Sequence, residues 1–424
     1  MSLTIPEQLQ AQLSKPVAIF GEGLSGEGVL AVLRALGLTG VFYDKKGLRF
    51  DQDAAKDHGL VVFSPGFESN HPWLAVACDA EVECMCELDF ASLFWRGQVV
   101  AITGTNGKTT LTEFLTHTLR MAYEVAHAAG NIGRPFSKLV AETGGGTEDQ
   151  IAVCEVSSFQ AETLQHLKPD STIWINFAED HLDRHPNIEG YFSAKWNLVT
   201  RTKNEEVLVG TSVQAHARKL NRNVPGMYWV KSEGVKPDLK LADTPFVDYP
   251  QRENFEMALA WWKKTKRNME MPYTAAACFR IGRHRLQKVL EYEGATYWND
   301  SKGTNFHAVE CAVANFDQPV RLILGGQSKG GDLAAFVSRL KGKVAEVFLI
   351  GEVAKELAEH CEVAGVMANR CETLTKAVKA ASKQAGPGSH VVLSPGFASF
   401  DQFSGYEDRG NNFEKLVREL GSAS

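Results

Sequence analysis

Short apolar runs rich in β-branched residues recur along the chain at 17–20, 60–63, 99–103, 151–156, 172–177, 320–324, 344–350 and 390–393. Each is bounded by glycine, proline or an amphipathic stretch of helical period. A run that is apolar throughout is buried on both faces, and alternation of such runs with helices leads to βαβ units and parallel sheets. The chain is therefore expected to be α/β. Its 424 residues suffice for two to four domains. Three blocks suggest themselves: 1–92, opening on the strand VAIF; 93–280, opening on VVAITGTNGKTT; and 281–424.

The second block carries the sharpest local signal. A strand at 99–103 leads into GTNGKTT, and residues 108–121 read as a helix with polar leading positions. A glycine-rich strand-to-helix turn aims backbone N–H groups and the positive end of the helix dipole at one point. The full phosphate-loop pattern would place glycine at Ile102; here the first glycine is Gly104, so the loop is a shortened form. The bland alternative is an ordinary βα turn. Against it stands Lys108, a cation at a helix N-terminus, which is electrostatically misplaced unless an anion sits there. Phosphate binding is the expectation, with Lys108 neutralising charge and the Thr109 hydroxyl offered to magnesium.

Magnesium needs further oxygen ligands. Glu155 ends one buried run, while Asp180 and His181 follow another. Parallel strands present functional residues at their C-terminal ends, which suits both positions. In the first block, GEGLSG (21–26) is a complete G-x-G-x-x-G after a strand, with Asp44 some twenty residues on. That motif brings backbone close to a diphosphate, whether of a dinucleotide or of a UDP-sugar.

Bulk properties remove other classes. A net charge of −6 gives no electrostatic case for nucleic acid or an anionic membrane. No apolar run approaches membrane-spanning length, and MSLTIPEQLQAQLSKP lacks a signal-peptide layout. Of eight scattered cysteines only Cys84 and Cys86 lie close together, so reduced thiols and a cytoplasmic location are expected.

Taken together, these stretches resemble the Mur ligase family, ATP-dependent amide-forming enzymes of peptidoglycan precursor synthesis. The family's loop has the form TGTNGKT, which accounts for Ile102. The resemblance continues in EVSSFQ (155–160), NFAEDHLDRH (176–185), AKWNL around Lys195, WNDSKGTN (298–305), LILGGQSKGGD (322–332) and LSPGFASFDQFSGYEDRGNNF (393–413). Within the family it is nearest the D-glutamate-adding members.

The resemblance implies three α/β domains: an N-terminal Rossmann-like domain for the UDP end of the substrate, a central phosphate-loop ATPase domain with a mostly parallel sheet, and a C-terminal Rossmann-like domain for the amino acid. It implies ATP, two magnesium ions, and CO2 fixed as a carbamate on Lys195. Small-molecule substrates and a monomer follow, with no nucleic-acid or membrane partner. Lys108, Glu155, His181 and Lys195 would be catalytic, and Thr109, Glu155, His181 and carbamylated Lys195 would hold metal. ATP would meet Gly104, Thr105, Asn106, Gly107, Lys108, Thr109, Thr110, Asn254, Arg285 and Asp300. The UDP substrate would meet Gly21, Gly23, Leu24, Ser25, Gly26, Asp44, Lys45, Ser64, Pro65, Gly66, Asn131 and Ser157. D-Glutamate would meet Lys302, Thr304, Lys329, Ser399, Phe400 and Tyr406.

The chain departs from the pattern at Glu253 (for His), Met257 (for Asn), Tyr406 (for Phe) and Gly303 (for Ala, read as a small change). Three rivals stand beside this reading. A folylpolyglutamate-synthase-like ligase would begin nearer its phosphate loop, another step of the same pathway would differ in the amino acid added, and a non-catalytic descendant would not need Lys108, Glu155, His181, Lys195 and Lys302 together.

Overall fold

A computed structural model describes residues 3–203, 206–223, 225–231 and 238–422. Strands β1 (Val17–Phe20), β2 (Gly40–Tyr43), β3 (Leu60–Phe63) and β4 (Glu83–Cys86) form a parallel sheet in the order β2-β1-β3-β4. A second parallel sheet contains β5 (Gln98–Thr103), β6 (Ala126–Gly130), β7 (Ile151–Glu155), β8 (Ser171–Trp174), β9 (Val207–Gly210) and β10 (Tyr228–Val230), in the order β10-β9-β8-β5-β7-β6. The third joins β11 (Gln287–Tyr292), β12 (Ala295–Asn299), β13 (Val320–Gly325), β14 (Val344–Ile350), β15 (Ala368–Glu372) and β16 (His390–Leu393), in the order β11-β12-β16-β13-β14-β15. Its ladders are parallel except β11–β12.

The apolar runs form strands because both faces are covered: β1, β3, β7 and β8 are buried at every position. Two differences from the sequence reading have local causes. The run at 172–177 leaves the sheet after Trp174, because Asn176 turns to the loop after β5 and its carbonyl accepts from Thr105 N (3.1 Å) and Trp174 Nε1 (3.1 Å). The antiparallel edge arises at Glu293-Gly294, where both residues take positive φ (50° and 76°), the geometry of a two-residue type I′ hairpin turn. Glutamate is an uncommon residue there, so the sequence does not advertise it.

The chain forms two compact units, one of residues 1–177, 192–247 and 251–279, the other of 178–191, 248–250 and 280–424. The first two sheets share one unit, and a continuous apolar core runs from Leu9 to Leu198. The helix Glu87–Ser92 between them carries two buried carboxylates. Glu87 Oε1 accepts from Ser137 N and Oγ, both at 2.6 Å, at the start of helix Phe136–Thr143. Burial pushes the Glu87 carboxyl above its usual range, opposed by those Ser137 hydrogen bonds. Asp89 accepts from three consecutive backbone amides, Gln165 (2.6 Å), His166 (3.0 Å) and Leu167 (2.8 Å). Stripping those amides of their acceptor is costly, so Asp89→Ala should lower the free energy of unfolding by about 3 kcal/mol in denaturant titration.

Candidate functional site

At the C-terminal ends of β1, β2 and β3 lies a cavity of about 410 Å³ lined by Gly21, Gly23, Leu24, Ser25, Asp44, Lys45, Ser64 and Gly66, together with Phe67 and His71. Gly21 has φ +99°, and a Cβ on Gly26 would collide with its carbonyl, so the turn closes only with glycine at both ends. Asp44 accepts from Glu22 N (3.3 Å), tying the turn to the end of β2. The Ser64 hydroxyl is buried without a hydrogen-bond partner among the described residues. Gly26 and Pro65 are absent from the lining. Phe67 and His71 escaped the sequence reading, although they continue the loop opened by Ser64. Burial, then Lys45, holds the His71 imidazole below its ordinary pKa, and its Nδ1 accepts from Trp73 N (3.2 Å). The ring is thus a neutral donor at Nε2.

The loop after β5 is built from both sides. Gly107 has φ +83°, and a Cβ there would collide with Asn254 Oδ1, a buried oxygen with no hydrogen-bond partner among the described residues. Lys108 opens the helix Lys108–Met121 as expected. Its Nζ donates to Gly104 O (2.9 Å) and Thr105 O (3.0 Å). Lys195, 1% exposed, donates to Thr103 Oγ1 and to the same Gly104 O, both at 3.1 Å. Two cations on one carbonyl oxygen repel, and an anion bound there relieves the conflict.

Glu155, 2% exposed at the end of β7, accepts from Asn131 Nδ2 (2.9 Å) through Oε1. Its Oε2 is buried with no hydrogen-bond partner among the described residues. An orphaned buried carboxylate oxygen is suited to a cation. No group of three or more His, Cys, Asp or Glu among the described residues could hold a metal. Any cation here would therefore rest on a mixed set, with Glu155 and the half-buried Thr109 in the helix's first turn. Ser157, expected beside the substrate, spends its hydroxyl in a capping box with Gln160 at the start of helix Ser158–Glu162.

His181 and Asp180 belong to the second unit, whereas Lys108, Thr109, Glu155 and Lys195 belong to the first. Asp180 gathers two expected residues, His181 and Lys329, and through Lys329 a third, Thr304. It accepts from His181 N (2.9 Å), lies 3.3 Å from Lys329 Nζ and accepts from Asn305 Nδ2 (3.0 Å), while Lys329 Nζ lies 3.5 Å from Thr304 Oγ1. Lys302 Nζ stands 5.0 Å over the Tyr406 ring. Ser399 is buried and Phe400 is 70% exposed.

Arg409, unassigned by the sequence reading although it lies in the quoted DRGNNF stretch, braces this region. Its guanidinium donates to Ser301 Oγ (3.0 Å), Ser301 O (2.9 Å) and Phe397 O (3.2 Å), so it holds the segments bearing Lys302 and Ser399. Gly303 is not a small change from alanine in this chain: an added Cβ would lie 2.6 Å from Asp300 Oδ2 and 3.0 Å from Ser394 Oγ.

Asp300 accepts from Leu286 N (3.1 Å) and Ser394 Oγ (2.7 Å). Burial pushes its carboxyl up to about 7, against the lowering effects of those hydrogen bonds and of Arg285 and Arg409. A raised carboxyl contributes stability below its unfolded value of 3.8, and the contribution is lost as pH rises through about 7. Asp300→Asn should therefore gain stability on the parent by about 2 kcal/mol across that window, measured as the pH dependence of Tm in both proteins.

The Mur ligase middle domain model matches residues 102–246, and the Mur ligase glutamate ligase domain model matches 284–397. UDP-N-acetylmuramoylalanine–D-glutamate ligase of Aquifex aeolicus is 33% identical, covering 94% of this chain and 97% of its own. The enzyme of that name from Protochlamydia amoebophila is 32% identical over 97% of this chain and 100% of its own. Among solved structures, MurF ligase from Thermotoga maritima in complex with ADP shares the fold, with a TM-score of 0.58 at 15% identity over 87% of this chain and 91% of that one.

Proposed function

Because this chain belongs to the Mur ligase family, we propose that it joins D-glutamate to UDP-N-acetylmuramoyl-L-alanine at the expense of ATP. The observation that carries the chemistry is the convergence of Lys108 and Lys195 on Gly104 O beside the orphaned Glu155 oxygen. Amide formation from a carboxylate must bring two anions together, and the Lys108 cation, with a metal ion at the Glu155 oxygen, would stabilise that encounter.

The blocks 1–92, 93–280 and 281–424 divide the work. The cavity at Gly21, Asp44, Lys45 and Ser64 takes the UDP end, with Asn131 further along the acceptor. Residues 104–110 cradle the ATP phosphates, and Asn254 meets the base. Lys108 neutralises the γ-phosphate as it moves from ADP oxygen to the acceptor carboxylate, giving an acyl phosphate. The D-glutamate amine then attacks that carbonyl carbon, a C–N bond forms, phosphate leaves with the C–O electron pair, and the amine loses a proton. Thr109 and Glu155 would hold magnesium; the ion would supply charge neutralisation at the phosphates. Lys302, Thr304, Lys329 and Ser399 hold the carboxylates of D-glutamate, with Phe400 and Tyr406 beside them. Carbamylation of Lys195 would turn one of two clashing cations into an anion. A monomer acting in the cytoplasm fits these substrates; among the described residues no helix is long and apolar enough to cross a membrane.

Phosphate release with ATP, Mg²⁺ and UDP-N-acetylmuramoyl-L-alanine should depend on D-Glu and not on L-Glu, L-Ala or meso-diaminopimelate. Release triggered by none of them would overturn the acceptor assignment. Lys195→Ala should lose activity by about a hundredfold or more. In ¹³CO2-equilibrated enzyme a carbamate carbon resonance should be present in the parent and absent from that variant; its absence from the parent sinks the carbamate.

A further inference from the structure

We propose that Glu253, which stands where the family pattern has histidine, positions the phosphate loop by fixing the side-chain amide of Asn176. The proposal rests on the nucleotide reading of residues 104–110. Asn176 follows β8 and is 4% exposed; Glu253, in the first turn of helix Gln251–Lys264, is 2% exposed. Asn176 holds two successive loop amides: its backbone carbonyl accepts from Thr105 N (3.1 Å) and its Oδ1 from Asn106 N (2.9 Å). Its Nδ2 donates to Glu253 Oε2 (2.8 Å).

A side-chain amide has two orientations, and only one suits these partners. Turned over, Nδ2 would face the Asn106 N–H and Oδ1 would face the carboxylate, two repulsive contacts in a buried site. Glu253 Oε2 accepts from Asn176 Nδ2, so this contact favours the observed amide orientation over the flipped one, whereas an imidazole can accept or donate. With Thr105 and Asn106 held by Asn176, the first half of the loop is pinned and phosphate recognition falls to the amides of Gly107 and the helix start. The next residue, Asn254, packs directly on Gly107, so consecutive side chains of one helix hold both halves of the loop.

Glu253 touches neither nucleotide nor acceptor in this scheme; it acts through Asn176. The test compares Glu253→Leu and Glu253→Gln with the parent by amide hydrogen exchange and by calorimetric titration with ADP. Glu253→Leu should speed exchange at Thr105 and Asn106 and weaken ADP by about tenfold, the effect of one lost buried hydrogen bond. It should raise the KM for ATP and leave that for D-glutamate unchanged. Glu253→Gln, whose Oε1 can still accept from Asn176, should restore both readouts. If the leucine variant does not fold, Glu253→Ala removes the same hydrogen bond with less bulk and carries the same expectation. Unchanged exchange at those two amides, or a glutamine variant as impaired as leucine, would overturn the role of Glu253. Faster exchange with ADP affinity unaltered would instead show that the loop is pinned but is not the nucleotide site, and the functional reading would fall.

Discussion

Parallel strands share one polarity, and that constraint organises everything chemical in this protein. Because neighbours run the same way, all their C-terminal ends meet at one edge, where turns into the following helices leave backbone and side chains exposed to a ligand. Gly21, Asp44 and Ser64 follow β1, β2 and β3. The loop 104–107 and Asn176 follow β5 and β8 and Glu155 ends β7, while Asp300, Lys329 and Ser394 follow β12, β13 and β16. Each set is scattered in sequence and gathered by strand order alone. In the second sheet the chain passes from β7 to β8 across β5, so the loop after β5 lies between both neighbours at a switch point of the kind where ligands enter open α/β sheets.

Placement brings unlike demands into contact. The Gly104 carbonyl accepts from Lys108 and Lys195, an arrangement that helps the fold little and suits an anionic ligand well. Around it the buried oxygens of Glu155 and Asn254 are left without partners among the described residues. By contrast, two buried charges away from the loop, Asp89 and Arg409, are well supplied with partners. Asp89 is saturated by three amides and Arg409 by the carbonyls and hydroxyl it braces.

Departures from a family pattern acquire meaning only in this setting. Gly303 looks interchangeable with alanine by size, yet the Asp300 carboxylate and Ser394 hydroxyl fill the space a methyl would need. Met257 is fully buried, so the residue in place of an asparagine is core. Glu253 is neither a lost contact nor a surface change, because it faces Asn176.

The sequence by itself determined the α/β class, most strand positions, the helix beginning at Lys108 and the identity of the glycine loops. Those features are local: β-branched runs, helical period and glycine spacing act over a few residues. It left Phe67, His71 and Arg409 unassigned and gave no sign of the turn at Glu293-Gly294. Only the tertiary structure decided that Lys195 and Lys108 share a carbonyl, that His181 belongs with Lys329 and Thr304, and that Asn176 links Asn106 to Glu253. Hydrogen bonds form between groups far apart in the chain only where strand order and helix packing bring them within about 3 Å, and no pattern of neighbouring residues encodes that distance.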